Sequence, residues 1–441
     1  MDDAGRMGTQ AQRLDELGGR YDPWLLAVAA ALAALGLVMV ASSSMPYALG
    51  NGVGAFHYFN RHVAYLGLGL VLATIAMRTE LKQVEQHSHL LLMLCFIGLI
   101  AVWLPGVGKT VNGSRRWINL GVAGFQVVEA VKLMLIVWLS SYLVRHRDQI
   151  GHRWRTLAKP LGVAGAIMAL LLLQPDFGSS VLLMAITVSL LWLGGARIRN
   201  LALLGGIGLV ALGALAFAEP YRVKRMTSFL DPWADQFDSG FQLVQAFIAI
   251  GRGDWTGVGL GGSILKLDYL PEAHTDFIFS VLAEELGFFG VLVVIGLFAL
   301  LAWRAFAIGH RCANMRRLFS AYCAFGVGLW ISLQSLVSIG VNLGVLPTKG
   351  LTLPLVSSGG SSVLMTCAAL GLLLRVSYEL ERAERQVARR IDAGRDVAVE
   401  DEGDDAARGA AAYPSRLEPA TGAPALRHPR GRIEPRLGVS R

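Results

Sequence analysis

Charge is scarce in this chain. Asp, Glu, Lys and Arg make up 16% of its 441 residues, where a soluble domain carries about 25%. Hydrophobic residues reach 54% and the mean hydropathy is +0.50, a balance that excludes an ordinary soluble domain. Alternating ten-residue strands are also lacking, which argues against a transmembrane β-barrel. Cysteine is rare: Cys95, Cys323 and Cys367 fall in apolar runs and Cys312 in a loop. None has metal-ligand spacing or an obvious external partner, so neither a disulfide nor a zinc site is expected. No fixed-period repeat is visible. The Gly-rich "GRGDWTGVGLGG" (251–262) lacks the Lys-Ser/Thr of a P-loop and reads as a flexible or tightly turned segment near a ligand. The net charge of +8 reports membrane topology rather than a nucleic-acid partner.

What the chain has is apolar runs. They lie near 24–44, 62–77, 89–104, 123–144, 158–174, 177–195, 200–218, 277–303, 318–343 and 354–375, most of them close to the ~20 residues that cross a bilayer. They predict an all-α polytopic membrane protein of about ten transmembrane helices. The run Pro23 to Ala41 is too long for a signal-peptide core and reads as a retained anchor. An even number of spans puts both termini on one side. Arg78, Lys82, Arg145, Arg147, Arg153, Arg155, Lys159, Arg197, Arg199, Arg304, Arg311, Arg316 and Arg317 make that side cytoplasmic by the positive-inside rule. Residues 1–20 then form a cytoplasmic tail, 21–380 a membrane domain and 381–441 a second cytoplasmic tail, disordered from about Asp392 by its composition. The loop 219–275, between the seventh and eighth spans, is too long for a plain connection. Phe241, Val244, Phe247 and Ile248 repeat at helical spacing within it, which predicts a helix at the outer face.

Positive charge on the outer side runs against the rule. It gathers in 105–122 and 219–275 and suits an anionic ligand such as a phosphate, with lipid headgroups as the alternative. Four constellations of ionisable or backbone-breaking residues stand out at membrane depth, where function is the default hypothesis. In "LPEAHTDFIFSVLAEELG" (270–287), Asp276 begins an apolar helix. The spacing fits a helix N-cap; the functional alternative is a general base in a partly dry cleft, oriented by Glu272 and His274. Glu284 and Glu285 lie further down, and at least one is expected to face a polar interior. In "GKTVNGSRRWINLG" (108–121), Arg115 and Arg116 suit a pyrophosphate or, with Trp117, an interfacial anchor. In "FQVVEAVKLMLIVW" (125–138), Glu129 and Lys132 share a helix face, as a mutual ion pair or as an anion site. In "LGVLPTKGLTLPLVSSGGSS" (343–362), prolines and glycines break the backbone and Lys349 adds an outer cation. The smaller break "QPDFGSS" (174–180) makes Asp176 a helix cap.

Together these segments resemble the SEDS family (shape, elongation, division and sporulation), and its cell-division branch in particular. The match rests on "GSRRWINLG", "QPDFGSS", "DPWADQFDSGFQLVQAFIAIGRG", "YLPEAHTDFIF", "AEELGFFG" and "PTKGLTLPLVSSGGSS", in order over roughly residues 20–380. The chain departs from the family at "QVVE" for the usual "QPSE", at "GRGDWTG" for a "GSGG" run, and at Ser358, where a tyrosine is usual. The resemblance implies a peptidoglycan glycosyltransferase that polymerises lipid II on the periplasmic face of the bacterial inner membrane at the septum. It makes Asp276 the essential acid of the "HTDF" motif. The substrate contacts it leaves for Arg115, Arg116, Glu129, Lys132, Glu272, His274, Lys349, Ser357 and Ser358. Undecaprenyl pyrophosphate is the leaving group, and a class B penicillin-binding transpeptidase and other divisome proteins are the partners. No cofactor is required by the residues; a divalent cation, Mg or Mn, shared by Asp276, Glu272 and pyrophosphate is left open. Rival functions are a lipid II flippase and a non-catalytic scaffold.

Overall fold

Each predicted span becomes a helix. The computed structural model describes residues 18–411 apart from 112, 113, 120, 122, 123, 218–227, 239, 268 and 349, and omits the side chains of 390–411 and of several residues in 204–217. The long helices are α1 (Pro23–Gly50), α2 (His57–Arg78), α4 (Ser88–Ala101), α5 (Val127–Arg145), α7 (Trp154–Leu173), α8 (Phe177–Leu193), α9 (Ile198–Phe217), α11 (Ile278–Asn314), α12 (Leu318–Asn342) and α13 (Gly360–Ala411). Short helices α3 (Leu81–Gln86) and α6 (Arg147–Ile150) turn the chain between spans, and α10 (Phe241–Gly253) is the helix expected inside the long loop. Seven of these helices are long and apolar enough to cross a membrane, and α4 and α8 are shorter apolar helices. The protein is an all-α polytopic membrane protein in its architecture.

One element departs from that expectation. Gly108–Val111 (β1), Ser114–Asn119 (β2) and Gly124–Gln126 (β3) form a small antiparallel sheet in the order β1-β2-β3. Trp117 pairs with Lys109 on one side and Gln126 on the other. The sequence between β1 and β2 contains Asn112-Gly113, the strongest short hairpin signal. Reading 105–122 as a plain loop overlooked it, and β3 takes residues 124–126 from the start of the predicted fourth span.

Helix α5 is the centre of the bundle. Val131, Leu135, Trp138 and Leu143 are buried, and α4, α8 and α12 pack around it. Small residues let these helices approach: a Cβ added at Gly326 of α12 would stand 2.4 Å from Ile136 of α5, the tight contact membrane helices favour. Helix α11 packs on α1, α10 and α12. Helix α2 lies along α13, with Gly69 against Cys367 and Ala73 against Gly371. Most of the exposed surface of α2 and α11 is apolar, including Leu68, Leu70, Val71, Phe289, Val293 and Trp303, as a lipid-facing helix requires.

Loops 51–56 and 174–176 and the described residues of 102–126, 228–277 and 343–359 gather at one end of the bundle, joined by contacts such as Ser358 N–H to the His274 carbonyl, 3.0 Å. The opposite end is locked by charge. Asp22 caps α1 through the Leu25 N–H at 2.9 Å and pairs with Arg304; Glu379 of α13 meets Arg375 at 2.9 Å and Arg317 at 3.5 Å. The predicted loss of structure from Asp392 is not what the described residues show. Helix α13 runs on to Ala411. The described residues from Gln386 on belong to a separate unit. Residues 1–17 and 412–441 of the two predicted tails lie outside the described residues, as do Arg222, Lys224 and Arg225 of the long loop.

Candidate active site

Asp276 sits in the tight turn 271–277 that opens α11. Glu272 starts the turn at φ +57°, a backbone state that costs a non-glycine residue energy and collects at functional sites. Its carbonyl receives the N–H groups of Thr275 and Phe277 at 3.1 and 3.2 Å, and its exposed carboxylate receives the Thr275 hydroxyl at 2.6 Å. The capping role that spacing offers Asp276 belongs instead to Asn342, at the end of α12. Phe277 occupies the cap position without a side-chain bond, while Asn342 Oδ1 accepts from Ser280 N at 3.1 Å and Ser280 Oγ at 2.7 Å. Asn342 Nδ2 then donates to the Asp276 carbonyl at 3.0 Å. The backbone of Asp276 is therefore pinned from a neighbouring helix, and its side chain is half-buried.

The broken segment 343–359 closes over this turn. A Cβ added at Gly350 would stand 3.3 Å from Asp276 Oδ2, so the carboxylate lies directly against the backbone there. Ser358 reaches the turn through its N–H, as noted; Ser357 is buried and bonds Leu353 N through its hydroxyl at 2.8 Å. Ser357 thus shapes the segment, while Ser358 is half-buried beside His274. His274 is buried between Tyr47 and Tyr58, with ring centroids 4.6 and 5.4 Å away. Burial holds its imidazole below the usual histidine value, with Glu272 acting in the opposite direction.

Glu129 and Lys132 form the ion pair, at 2.8 Å with both side chains buried. Lys132 also donates to Gln334 Oε1 at 2.7 Å, and Gln334 Nε2 donates to the Thr352 carbonyl at 2.9 Å. Trp330 completes the cluster, giving its indole N–H to Gln334 and its ring face to Lys132. The pair is thereby tied to the broken segment, one helix away from Asp276. Nothing in the sequence pattern announced Gln334, which lies 202 positions from Lys132.

Arg115 and Arg116 sit on β2. Arg116 donates to the carbonyls of Gln174 and Pro175 at 2.9 and 2.8 Å, satisfying the carbonyls where the chain leaves α7. Asp176 caps α8 through Ser179 N at 3.1 Å, as its spacing predicts. Arg115 donates to the Trp103 carbonyl at 3.3 Å. The sheet joins the first turn of α13, where Gln126 N donates to the Ser361 hydroxyl at 2.8 Å. Lys349 lies outside the described residues.

Glu284 and Glu285 are both fully buried. Glu284 receives Arg252 at 2.6 Å, the Ser263 hydroxyl and the Ile264 N–H at 3.1 Å. Glu285 receives Lys266 and the Ser42 hydroxyl, each at 2.7 Å. Two residues on, Gly287 breaks α11 at φ +66°. The freed carbonyls of Glu284 and Glu285 accept from Val258 and Gly259, and the freed N–H groups of Phe288 and Phe289 donate to Asp254 and Trp255. That exchange is the use of the Gly-rich stretch 251–262. It restores the hydrogen bonds of a broken helix at membrane depth, and only glycine fits at 257, where a Cβ would meet the Glu285 carbonyl oxygen at 2.2 Å.

Among the described residues no three His, Cys, Asp or Glu side chains come together to hold a metal ion.

The comparisons with known proteins agree with this architecture. A family model described as "Cell cycle protein", covering FtsW, RodA and SpoVE, matches residues 23–382. The chain is 62% identical over 379 residues to the "Probable peptidoglycan glycosyltransferase FtsW" of Xanthomonas oryzae pv. oryzae, covering 86% of this chain and 77% of that one. It is 49% identical over 370 residues to the protein of the same description from Coxiella burnetii, covering 84% and 100%. Among solved structures it is similar to a chain of a peptidoglycan synthase complex, at TM-score 0.66 and 32% identity over 82% of this chain and 98% of that one. The crystal structure of the rod shape determining protein RodA of Thermus thermophilus matches at TM-score 0.60 and 31% identity, over 81% and 97%. The chain belongs to the FtsW, RodA and SpoVE family of cell cycle proteins, the SEDS family its motifs resemble, and within it is most like FtsW.

Proposed function

We propose that this protein is a peptidoglycan glycosyltransferase of the cell-division type. It polymerises lipid II into glycan strands on the periplasmic face of the bacterial inner membrane, at the septum, with both termini in the cytoplasm. The observation that carries the reading is Asp276: a carboxylate whose backbone is pinned by Asn342 while its side chain stays half-buried beside Gly350. In the reaction the acceptor's sugar 4-hydroxyl attacks the anomeric carbon of the lipid-linked donor. Asp276 takes the hydroxyl proton as the new C–O bond forms. The bond to undecaprenyl pyrophosphate breaks and its electrons leave with the pyrophosphate. Attack from the face opposite the leaving group inverts the centre, as single displacement requires.

The departing pyrophosphate develops negative charge, which fixed cations stabilise. Lys132 is enclosed, with two of its donors already bonded to Glu129 and Gln334; its part is to hold the Thr352 segment. We assign pyrophosphate to Lys349, next to Gly350 in sequence, with Arg115 and Arg116 as the second group of cations. Glu272, His274, Ser357 and Ser358 shape the acceptor side. The similarity to a chain of a peptidoglycan synthase complex supports a class B penicillin-binding transpeptidase as partner, alongside other divisome proteins.

The test is polymerisation of purified lipid II by this protein with its cognate transpeptidase, comparing wild type with Asp276→Asn. Long glycan strands from wild type alone support the reading. Equal polymer from both removes Asp276 from the chemistry. Absence of polymer from both, with a folded complex, returns weight to the flippase and scaffold functions.

A further inference from the structure

Two tyrosines at the loop end have no part in the reaction as written above. Tyr47 lies in the last turn of α1 and Tyr58 in the first turn of α2, across the short loop 51–56. Their ring centroids are 5.3 Å apart. His274 packs against both rings, and His57 meets Tyr58 edge-on at 5.2 Å. Tyr47 is 38% exposed and Tyr58 is half-buried, whereas His274 behind them is buried. The result is an aromatic surface, open on one side and backed by the His274 imidazole, with Glu272 two residues from His274 in the same turn. It is anchored to the residue two positions before Asp276.

Interfacial anchoring accounts for a tyrosine at the end of a membrane helix. It does not account for two tyrosines from different helices converging on the turn that carries the proposed base. A pyranose ring does fit this surface. It offers a C–H face to an aromatic plane and hydroxyl edges to charged groups, the combination of apolar wall and few polar contacts that small-molecule sites use. The sugar beside a general base is the one whose hydroxyl loses the proton.

We propose that Tyr47 and Tyr58, backed by His274, form a sugar-stacking subsite for the terminal pyranose of the acceptor. It sets the acceptor hydroxyl against Asp276. This rests on the glycosyltransferase reading and adds to it a binding surface contributed by the ends of α1 and α2.

The test uses chitotetraose, a water-soluble β-1,4 N-acetylglucosamine oligomer with neither lipid nor pyrophosphate, and the full chain in nanodiscs. Binding is followed by saturation-transfer NMR titration, with the melting temperature recorded for each variant. Tyr47→Ala combined with Tyr58→Ala is expected to bind about tenfold more weakly or worse. Tyr47→Phe with Tyr58→Phe keeps the stacking faces and stays within about threefold of wild type. Should the double alanine variant fail to fold, Tyr47→Ala alone carries the comparison, since its ring is the more exposed. Undetectable binding by wild type, or equal binding by wild type and the alanine variants, overturns the subsite. A phenylalanine variant as weak as the alanine one also overturns it, since stacking would not be the cause. Polymerisation by Asp276→Asn at the wild-type rate overturns the base reading instead, and leaves the binding result standing.

Discussion

Two acidic regions lie within ten residues of each other on one strand of chain, and they are built in opposite ways. Glu284 and Glu285 are fully buried, and each is closed by a cation and a hydroxyl: Arg252 and Ser263 for one, Lys266 and Ser42 for the other. Asp276 has its backbone held by Asn342 and its carboxylate half-buried at the mouth of the bundle. A buried carboxylate without a partner is too costly to keep, so full enclosure demands saturation. A carboxylate meant to take a proton from a ligand has to be fixed in position and yet reachable. The same functional group thus holds the outer loop in one place and, in the proposed reaction, takes a proton in the other.

The sharpest way to break the contrast is to neutralise the reachable carboxylate. Asp276→Asn should lower the polymerisation rate by about 10²–10⁴-fold, the usual worth of a general base, with the melting temperature unchanged. The reverse is expected at the enclosed pair. Glu285→Ala leaves Lys266 buried and uncompensated and should destabilise the fold by about 3–5 kcal/mol, read as a lower melting temperature in detergent. Asn342→Ala lies between the two: it removes the trans cap of α11 and the anchor of Asp276. It should destabilise by about 1 kcal/mol and reduce the rate per folded molecule as well, because the base loses its position.

The smallest effect concerns His274. Its imidazole is held below the ordinary value of about 6.5 by burial. Between the lowered folded value and the ordinary unfolded one, the unfolded chain binds more protons. Its contribution to stability is therefore present above the ordinary value and is lost as pH falls toward the folded one. Melting temperatures measured from pH 7.5 down to pH 5 should fall for wild type more steeply than for His274→Gln.

Much of the helix bundle is legible in the sequence because bilayer thickness fixes how long an apolar run must be. The "QPDFGSS" cap and the Glu129–Lys132 pair are local, three residues apart, and spacing suffices to find them. What spacing does not show is the company a residue keeps across the fold. Ser42 meets Glu285 from 243 positions away and Ser361 meets Gln126 from 235. Asn342 takes the cap that local spacing assigns to Asp276, because helix ends in a bundle are capped by whatever neighbour is near. Tyr47 and Tyr58 look like ordinary interfacial tyrosines until His274 is placed between them. The hairpin at 108–119 is announced only by Asn112-Gly113, because its short polar strands lack the alternation that marks a half-buried sheet.

The central claim is that one carboxylate works while its neighbours hold. It is tested most directly by the rate of lipid II polymerisation per folded molecule, measured side by side for Asp276→Asn and Glu285→Ala. The account predicts that the first loses at least about a hundredfold while melting as wild type does. The second melts earlier yet keeps its rate within about tenfold. Equal losses of rate in both, or a normal rate from Asp276→Asn, would contradict it.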